Sequence, residues 1–126
     1  MDASSKPNNF LVKQKAFLKM YLFTLIERDE LYGLQFQDTF EAELSKHGYR
    51  PSHSDIYKIL HEMYASGWVT RTEELRSKDK DGFQKVIYYR FTDEGRQQAQ
   101  AYKKLMKVEL ERCIGLLQKA LQDNYS

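Results

Sequence analysis

Ser54, Tyr57, Lys58 and His61 are spaced so that a helix would carry all four on one side. A hydroxyl, a phenol, an ammonium and an imidazole can together donate to and accept from base edges and phosphate oxygens. On a helix lying in a major groove, that is the chemistry of sequence reading. Interleaved with them, Ile56, Ile59, Leu60 and Met63 recur at i, i+3, i+4 and i+7, an apolar stripe that has to pack against the rest of a domain. The ends of this helix are written locally. Pro51 disfavours helix at Arg50, Ser52 is an N-cap with Asp55 three positions on, and Gly67 marks the stop. The same pattern describes a short amphipathic helix whose polar side is merely solvated, so the surrounding elements have to separate the two readings.

Catalytic chemistry finds little support. His61-Glu62 begins like a zinc-protease helix, but the position four residues after His61 is Ala65, which cannot be the second ligand. His47, His53 and His61 have no cysteine neighbours and no structural-zinc spacing. Neither a glycine-rich phosphate loop nor a strained serine motif is present. No catalytic residue, cofactor or metal is therefore expected, and the chain reads as a non-enzyme. Its 20 Lys and Arg against 18 Asp and Glu give a net charge of +2, which permits a nucleic-acid partner without requiring one. At 126 residues the chain suits one domain, and no apolar run reaches membrane-spanning length. Cys113 is the only cysteine and no secretory signal is visible, so a reducing, cytoplasmic setting is expected.

Four further elements are expected to position the helix. Phe10 to about Glu27 is dense in apolar residues on more than one face, with Lys13, Lys15 and Lys19 interspersed, and reads as a helix that Asn9 could cap. After a short interruption at Leu31-Tyr32-Gly33, with room for a very short strand, a second helix runs from about Leu34 to Lys46. Phe36, Phe40 and Leu44 form its core stripe and Gly48 its stop. Beyond Gly67 the period becomes two. The runs Trp68 to Leu75 and Val86 to Phe91 are rich in β-branched and aromatic residues, and the polar stretch Arg76 to Gly82 reads as the loop of a projecting hairpin. Thr92 then caps a helix to about Gln122 with Asp93 and Glu94 in its first turn. Ala99, Tyr102, Met106, Leu110, Cys113, Leu117 and Ala120 step along it by three or four as a coiled-coil-like seam. About thirty residues make a rod of roughly 45 Å, longer than one small domain can cover, so the seam calls for a second copy of the chain. Residues 1–9 are expected to be a loose arm, 10–91 the domain and 92–126 the dimerisation helix.

Helix, short strand, helix, helix and a two-stranded hairpin is the order of a winged helix-turn-helix, a mainly α member of the α+β class. Basic residues lie where such a fold meets DNA: Lys58 on the third helix, Arg71, Arg76 and Lys85 on the wing strands, Lys78 and Lys80 in the wing loop. Lys13, Lys15 and Lys19, with Lys6 in the arm, are further phosphate contacts. Asp79 and Asp81 in the same loop leave open the plainer reading of a solubilising hairpin.

The strings Phe10-Leu11-Val12-Lys13-Gln14-Lys15-Ala16-Phe17-Leu18-Lys19, Leu31-Tyr32-Gly33-Leu34, Pro51-Ser52-His53-Ser54-Asp55-Ile56-Tyr57, Tyr102-Lys103-Lys104 and Lys107-Val108-Glu109-Leu110-Glu111-Arg112-Cys113 resemble the replication terminator proteins of bacilli, from about residue 9 to residue 125. The resemblance implies a symmetric homodimer joined through the long C-terminal helices. It also implies terminator sites bound by two cooperating dimers, and arrest of a replicative helicase arriving from one side. On it Ser54, Asp55, Tyr57 and Lys58 match the groove-facing helix and the Arg71 to Lys85 region matches the wing. Asp29 and Tyr32 match the surface linked to helicase arrest, although a Tyr before Gly33 also suits a core position. Tyr88 to Arg96 is instead similar to the strand-to-helix junction of PadR-like transcriptional regulators, which leaves a repressor on a palindromic operator as the alternative.

Overall fold

The computed structural model describes residues 10–28, 33–78 and 82–126. In chain order these form α1 (Gln14–Arg28), α2 (Gly33–Leu44), a 3-10 turn (Ser45–His47), α3 (His53–Ala65), β1 (Val69–Lys78), β2 (Gly82–Phe91) and α4 (Asp93–Tyr125). This is a mainly helical winged helix-turn-helix fold with one antiparallel two-stranded sheet and a long C-terminal helix.

The core lies where the three short helices meet the root of the hairpin. Leu18, Leu22, Phe23, Leu25 and Ile26 of α1 meet Phe36, Phe40 and Leu44 of α2. Ile56, Ile59, Leu60 and Met63 of α3 close the cluster together with Val69, Tyr89 and Ala99. The stripes expected of α2, three residues, and of α3, four, are thus buried as their periodicity requires. Burying one such side chain fully stabilises by about 1.5–3 kcal/mol, so α3 is held by its four apolar residues rather than by intrinsic helix propensity.

Local signals set the helix ends. The Ser52 hydroxyl accepts a hydrogen bond from the Asp55 N–H at 3.0 Å, satisfying a donor that the first turn of α3 would leave free. Gly67 has φ of 81°, a left-handed conformation that turns the chain from α3 into β1 without the steric cost a side chain would add. Three helix boundaries differ from expectation, and one is the end of α4, at Tyr125 rather than about Gln122. Helix α1 begins at Gln14 rather than Phe10. Helix α2 tightens into the 3-10 turn at Ser45, where the Gly48 N–H bonds the Ser45 carbonyl.

The hairpin is also longer than its pattern suggested. Arg76, Ser77 and Lys78 pair with Gln84, Phe83 and Gly82, so most of the expected loop is strand. The ladder is made by backbone groups, and side-chain polarity there reports exposure to water rather than conformation. The short strand expected at Leu31-Tyr32 lies outside the described residues.

At the root of the hairpin the start of α4 locks onto the end of α3. The Thr92 hydroxyl donates to the Gly67 carbonyl at 2.7 Å and accepts from the Gly95 N–H at 3.0 Å, while the Thr92 N–H donates to the Trp68 carbonyl. A Cβ on Gly95 would lie 2.6 Å from the Trp68 carbonyl carbon and overlap its oxygen, so only glycine permits this approach. Helix α4 then crosses α1. The Tyr102 ring packs edge-on against Phe23, and Lys103 pairs with Glu27 at 2.7 Å. Thirty-three residues make α4 about 50 Å long, and its second half runs on beyond these contacts.

Candidate nucleic-acid interface

Helix α3 presents two chemically opposite sides. With Ile56, Ile59, Leu60 and Met63 buried, Ser54, Asp55, Lys58 and His61 are left exposed on the outer side. Tyr57 is intermediate. Its ring packs against the core and stacks on His53 at 4.6 Å between centroids, so its position is fixed. Partial burial, with the nearby Tyr89 phenol second, holds the Tyr57 hydroxyl above its ordinary pKa, so it remains a proton donor at neutral pH.

The N-terminal end of α1 lies beside this surface. Lys15 reaches Glu62 of α3 at 3.1 Å. Gln14, Lys15, Leu18, Tyr49, Asp55, Lys58 and Ile59 together line a cavity of about 190 Å³. Lys13 is exposed immediately before α1 begins. Two ammonium groups from different helices thus flank one recess, a geometry suited to a phosphate oxygen. Lys19 has a different role from its two neighbours. Its Nζ sits 4.7 Å from the centre of the Trp68 ring and 5.2 Å from that of Tyr102, and burial lowers its pKa against the opposing pull of Glu62.

On the wing, Arg71 is held against α3, its guanidinium 5.5 Å from the Tyr64 ring and 5.9 Å from Tyr89. Arg76 donates to the Tyr88 hydroxyl at 2.9 Å, and Lys85 lies 3.8 Å from Glu73 across the strands. These exposed contacts orient the cations while leaving them open to water. Lys78 closes β1 opposite Gly82. Lys80, Lys6, Asp29 and Tyr32 lie outside the described residues.

Of the expected seam, Ala99 is fully buried and Tyr102 half-buried within this chain's own core, Met106 and Cys113 are buried, and Leu110 is intermediate. Leu117 and Ala120 are exposed, and so are Ile114 and Leu121 on the same side of the second half of α4.

Sequence reasoning missed two positioning residues. Gln37 of α2 donates from Nε2 to the Pro51 carbonyl at 3.0 Å, pinning the turn that feeds α3. Arg90 donates to Thr72 and Glu74 and lies over the Tyr88 ring, bracing the wing across its two strands. Neither belongs to a periodic stripe, so only an alternation argument for the hairpin could have pointed to Arg90.

Among the described residues no group of three or more His, Cys, Asp or Glu side chains is placed to hold a metal ion, and no helix is long and apolar enough to cross a membrane. The fold is similar to that of a PadR-like transcriptional regulator from Bacillus cereus strain ATCC 14579. The two share a TM-score of 0.63 and 22% identity over 82% of this chain and 94% of the other. The circadian clock associated protein Pex from anabaena is similar at a TM-score of 0.59, 18% identity, and 85% and 88% coverage. Likeness at such identities concerns the fold. In sequence, the replication termination proteins of Bacillus subtilis (strain 168) and Bacillus spizizenii are each 40% identical over 116 residues, 92% of this chain and 92% of theirs. With the model of the family described as Replication terminator protein matching residues 9–125, the chain belongs to that family.

Proposed function

We propose that this protein is a homodimeric, sequence-specific binder of double-stranded DNA. On this reading it occupies terminator-like sites and blocks a replicative helicase arriving from one side. The observation that carries the DNA-binding reading is the outer side of α3, where Ser54, Asp55, Lys58 and His61 stand exposed directly above a fully buried apolar stripe. With α3 in the major groove, Lys58 and Tyr57 reach base edges. Lys13 and Lys15 lie over the flanking backbone, and Arg71, Arg76, Lys78, Lys80 and Lys85 follow the wing along phosphates or the minor groove. The arm at residues 1–9, with Lys6, adds phosphate contacts. The exposed Ile114, Leu117 and Leu121 of the second half of α4 support pairing with a second copy, in which the intermediate Leu110 and the buried Cys113 complete the seam. In this division residues 10–91 bind DNA and 92–126 dimerise, with the first turns of α4 serving both. Asp29 and Tyr32 are the residues assigned to helicase contact, and the cytoplasm is the compartment such a protein needs.

Membership of the replication terminator family favours fork arrest. The likeness in fold to a PadR-like regulator supports a second reading, a repressor on a palindromic operator. Selection of bound duplexes from a random library, followed by footprinting over a range of protein concentrations, separates the two. Two adjoining dimer sites filled cooperatively, and a directional block in a helicase assay, are the results expected for a terminator. One palindrome filled by one dimer would favour the repressor, and no enrichment of any sequence would sink both.

A further inference from the structure

The register of the hairpin sorts its side chains into two faces. Cross-strand partners share a face, so Val69, Arg71, Glu73, Leu75 and Ser77 lie with Phe91, Tyr89, Ile87, Lys85 and Phe83. At the root this face is core: Val69 and Tyr89 are buried, and Ile87 and Phe91 pack against the same cluster. The strands continue past the body. Six residues beyond Tyr89, a reach of about 20 Å at the rise of an antiparallel strand, the same face ends in Leu75 and Phe83, which are 66% and 72% exposed. They are diagonal neighbours across the ladder, about 7 Å apart by that geometry.

A large aromatic and a leucine side by side at a wing tip call for an occupant. Two described cations flank them: Lys85 is the cross-strand partner of Leu75 on the same face, and Arg76 lies at the same level on the opposite face, beside Tyr88. The cores of protein–protein contacts are depleted in lysine, whereas an apolar tip with a cation on each face of its ribbon matches the minor groove. There phosphates line the edges, and apolar side chains can enter between base steps. The face is also continuous with the recognition helix, because Arg71 on the same row lies against Tyr64 near the C-terminal end of α3.

We infer that Phe83, supported by Leu75, is an apolar wedge that enters the minor groove beside the recognition site and unstacks a base step, so that the protein bends the duplex it binds. This rests on the DNA-binding reading above. The cations around the tip supply affinity independent of sequence. The wedge makes the energy of binding depend on how easily one step opens, so a flexible pyrimidine–purine step under the wing is preferred. Sequence preference then extends to base pairs that no polar side chain reads.

The test uses the full-length protein and a duplex recovered by selection, with 2-aminopurine substituted in turn at each position under the wing and end-to-end distance followed by energy transfer. The wild-type protein is expected to raise 2-aminopurine fluorescence at one step several-fold and to shorten the end-to-end distance. Phe83→Ala with Leu75→Ala should abolish both changes and weaken binding by about tenfold, and Phe83→Leu should retain part of each. Lys85→Ala should lower affinity while leaving the fluorescence change intact. Because both apolar residues are exposed, circular dichroism of the double variant should match the wild type. If wild-type protein binds the duplex tightly with no fluorescence change at any step, the wedge is refuted while DNA binding stands. If the double variant keeps the bend and loses only the filling of an adjacent site, the patch contacts a neighbouring dimer and the inference is overturned. If no duplex can be selected at all, the reading beneath it fails first.

Discussion

Lys58 and Lys85 differ in what surrounds them, and the difference predicts separable phenotypes. Lys58 stands on the outer side of α3 between Asp55 and His61, so Lys58→Ala should relax base preference at about one position by 1–3 kcal/mol. Lys85 lies on a wing strand beside Glu73. Its removal should weaken binding to all sequences alike and reduce the magnitude of the salt slope by about one unit, which titrations at several salt concentrations would show. A third residue-scale expectation concerns alkaline pH. Burial raises the phenol pKa values of Tyr49, Tyr57 and Tyr102, with Asp55 adding to the effect at Tyr49 and Tyr89 at Tyr57. The stability these neutral phenols contribute is fully present below pH of about 10, the unfolded value. It is lost as pH rises through their higher folded values, because the folded state then holds protons the unfolded chain has released. Lys19 acts with the opposite sign. Its lowered folded pKa means that stability rises with pH across the window between that value and 10.5. Denaturant melts of Tyr102→Phe should show a smaller loss above pH of about 10 than the wild type; an equal loss would contradict the assignment.

The junction between hairpin and α4 is the element whose failure should cost most. Gly95→Ala sets a methyl group into the Trp68 backbone carbonyl, where no side-chain rotation relieves it. A destabilisation of about 3 kcal/mol or more is expected in chemical denaturation, in the range of severe overpacking. Thr92→Ala removes a helix cap together with the bond to Gly67, and should cost about 1–2 kcal/mol. Ser52→Ala, which loses only the cap of α3, should cost about 1 kcal/mol. Helix α3 itself shows why its two-sided surface was readable. Its stripe has a period of its own, its cap is three residues from the bonded N–H, and its stop is a glycine with positive φ. The wing was less readable, because polar residues from Arg76 to Ser77 resemble a loop in composition while their backbones still pair.

For the whole molecule, the exposed apolar side of the second half of α4 carries the prediction. Leu117→Glu, at a half-exposed position, should leave the fold intact. It should shift the protein from dimer towards monomer in sedimentation velocity, with an accompanying loss of tight DNA binding because one recognition helix then acts alone. An unchanged sedimentation profile would place the second copy elsewhere. Tyr102, read from sequence as part of one continuous seam, is engaged within its own chain through Phe23 and the Ala16 carbonyl. The seam is therefore divided between the chain's own core and the projecting half of α4. Periodicity along a helix identifies the residues that have to be covered, but it does not name what covers them.

The order of the elements and most of their chemistry were local matters, and the sequence by itself determined them, apart from the ends of α1 and α2 and the length of the hairpin. The stripes of α2 and α3, the caps at Ser52 and Thr92, the turn at Gly67 and the sorting of polar from apolar residues on α3 each depend on neighbours within about four positions. At that range backbone geometry fixes which side chains meet. Contacts between residues distant in the chain were decided only by the tertiary structure. Lys15 meets Glu62, Gln37 holds Pro51, Arg71 lies against Tyr64, Gly95 admits the Trp68 carbonyl, and Lys19 is drawn to Trp68 and Tyr102 rather than to the outer surface. Each depends on where packing brings two separate elements together. Burial of the shared core sets that approach, and no local pattern encodes it.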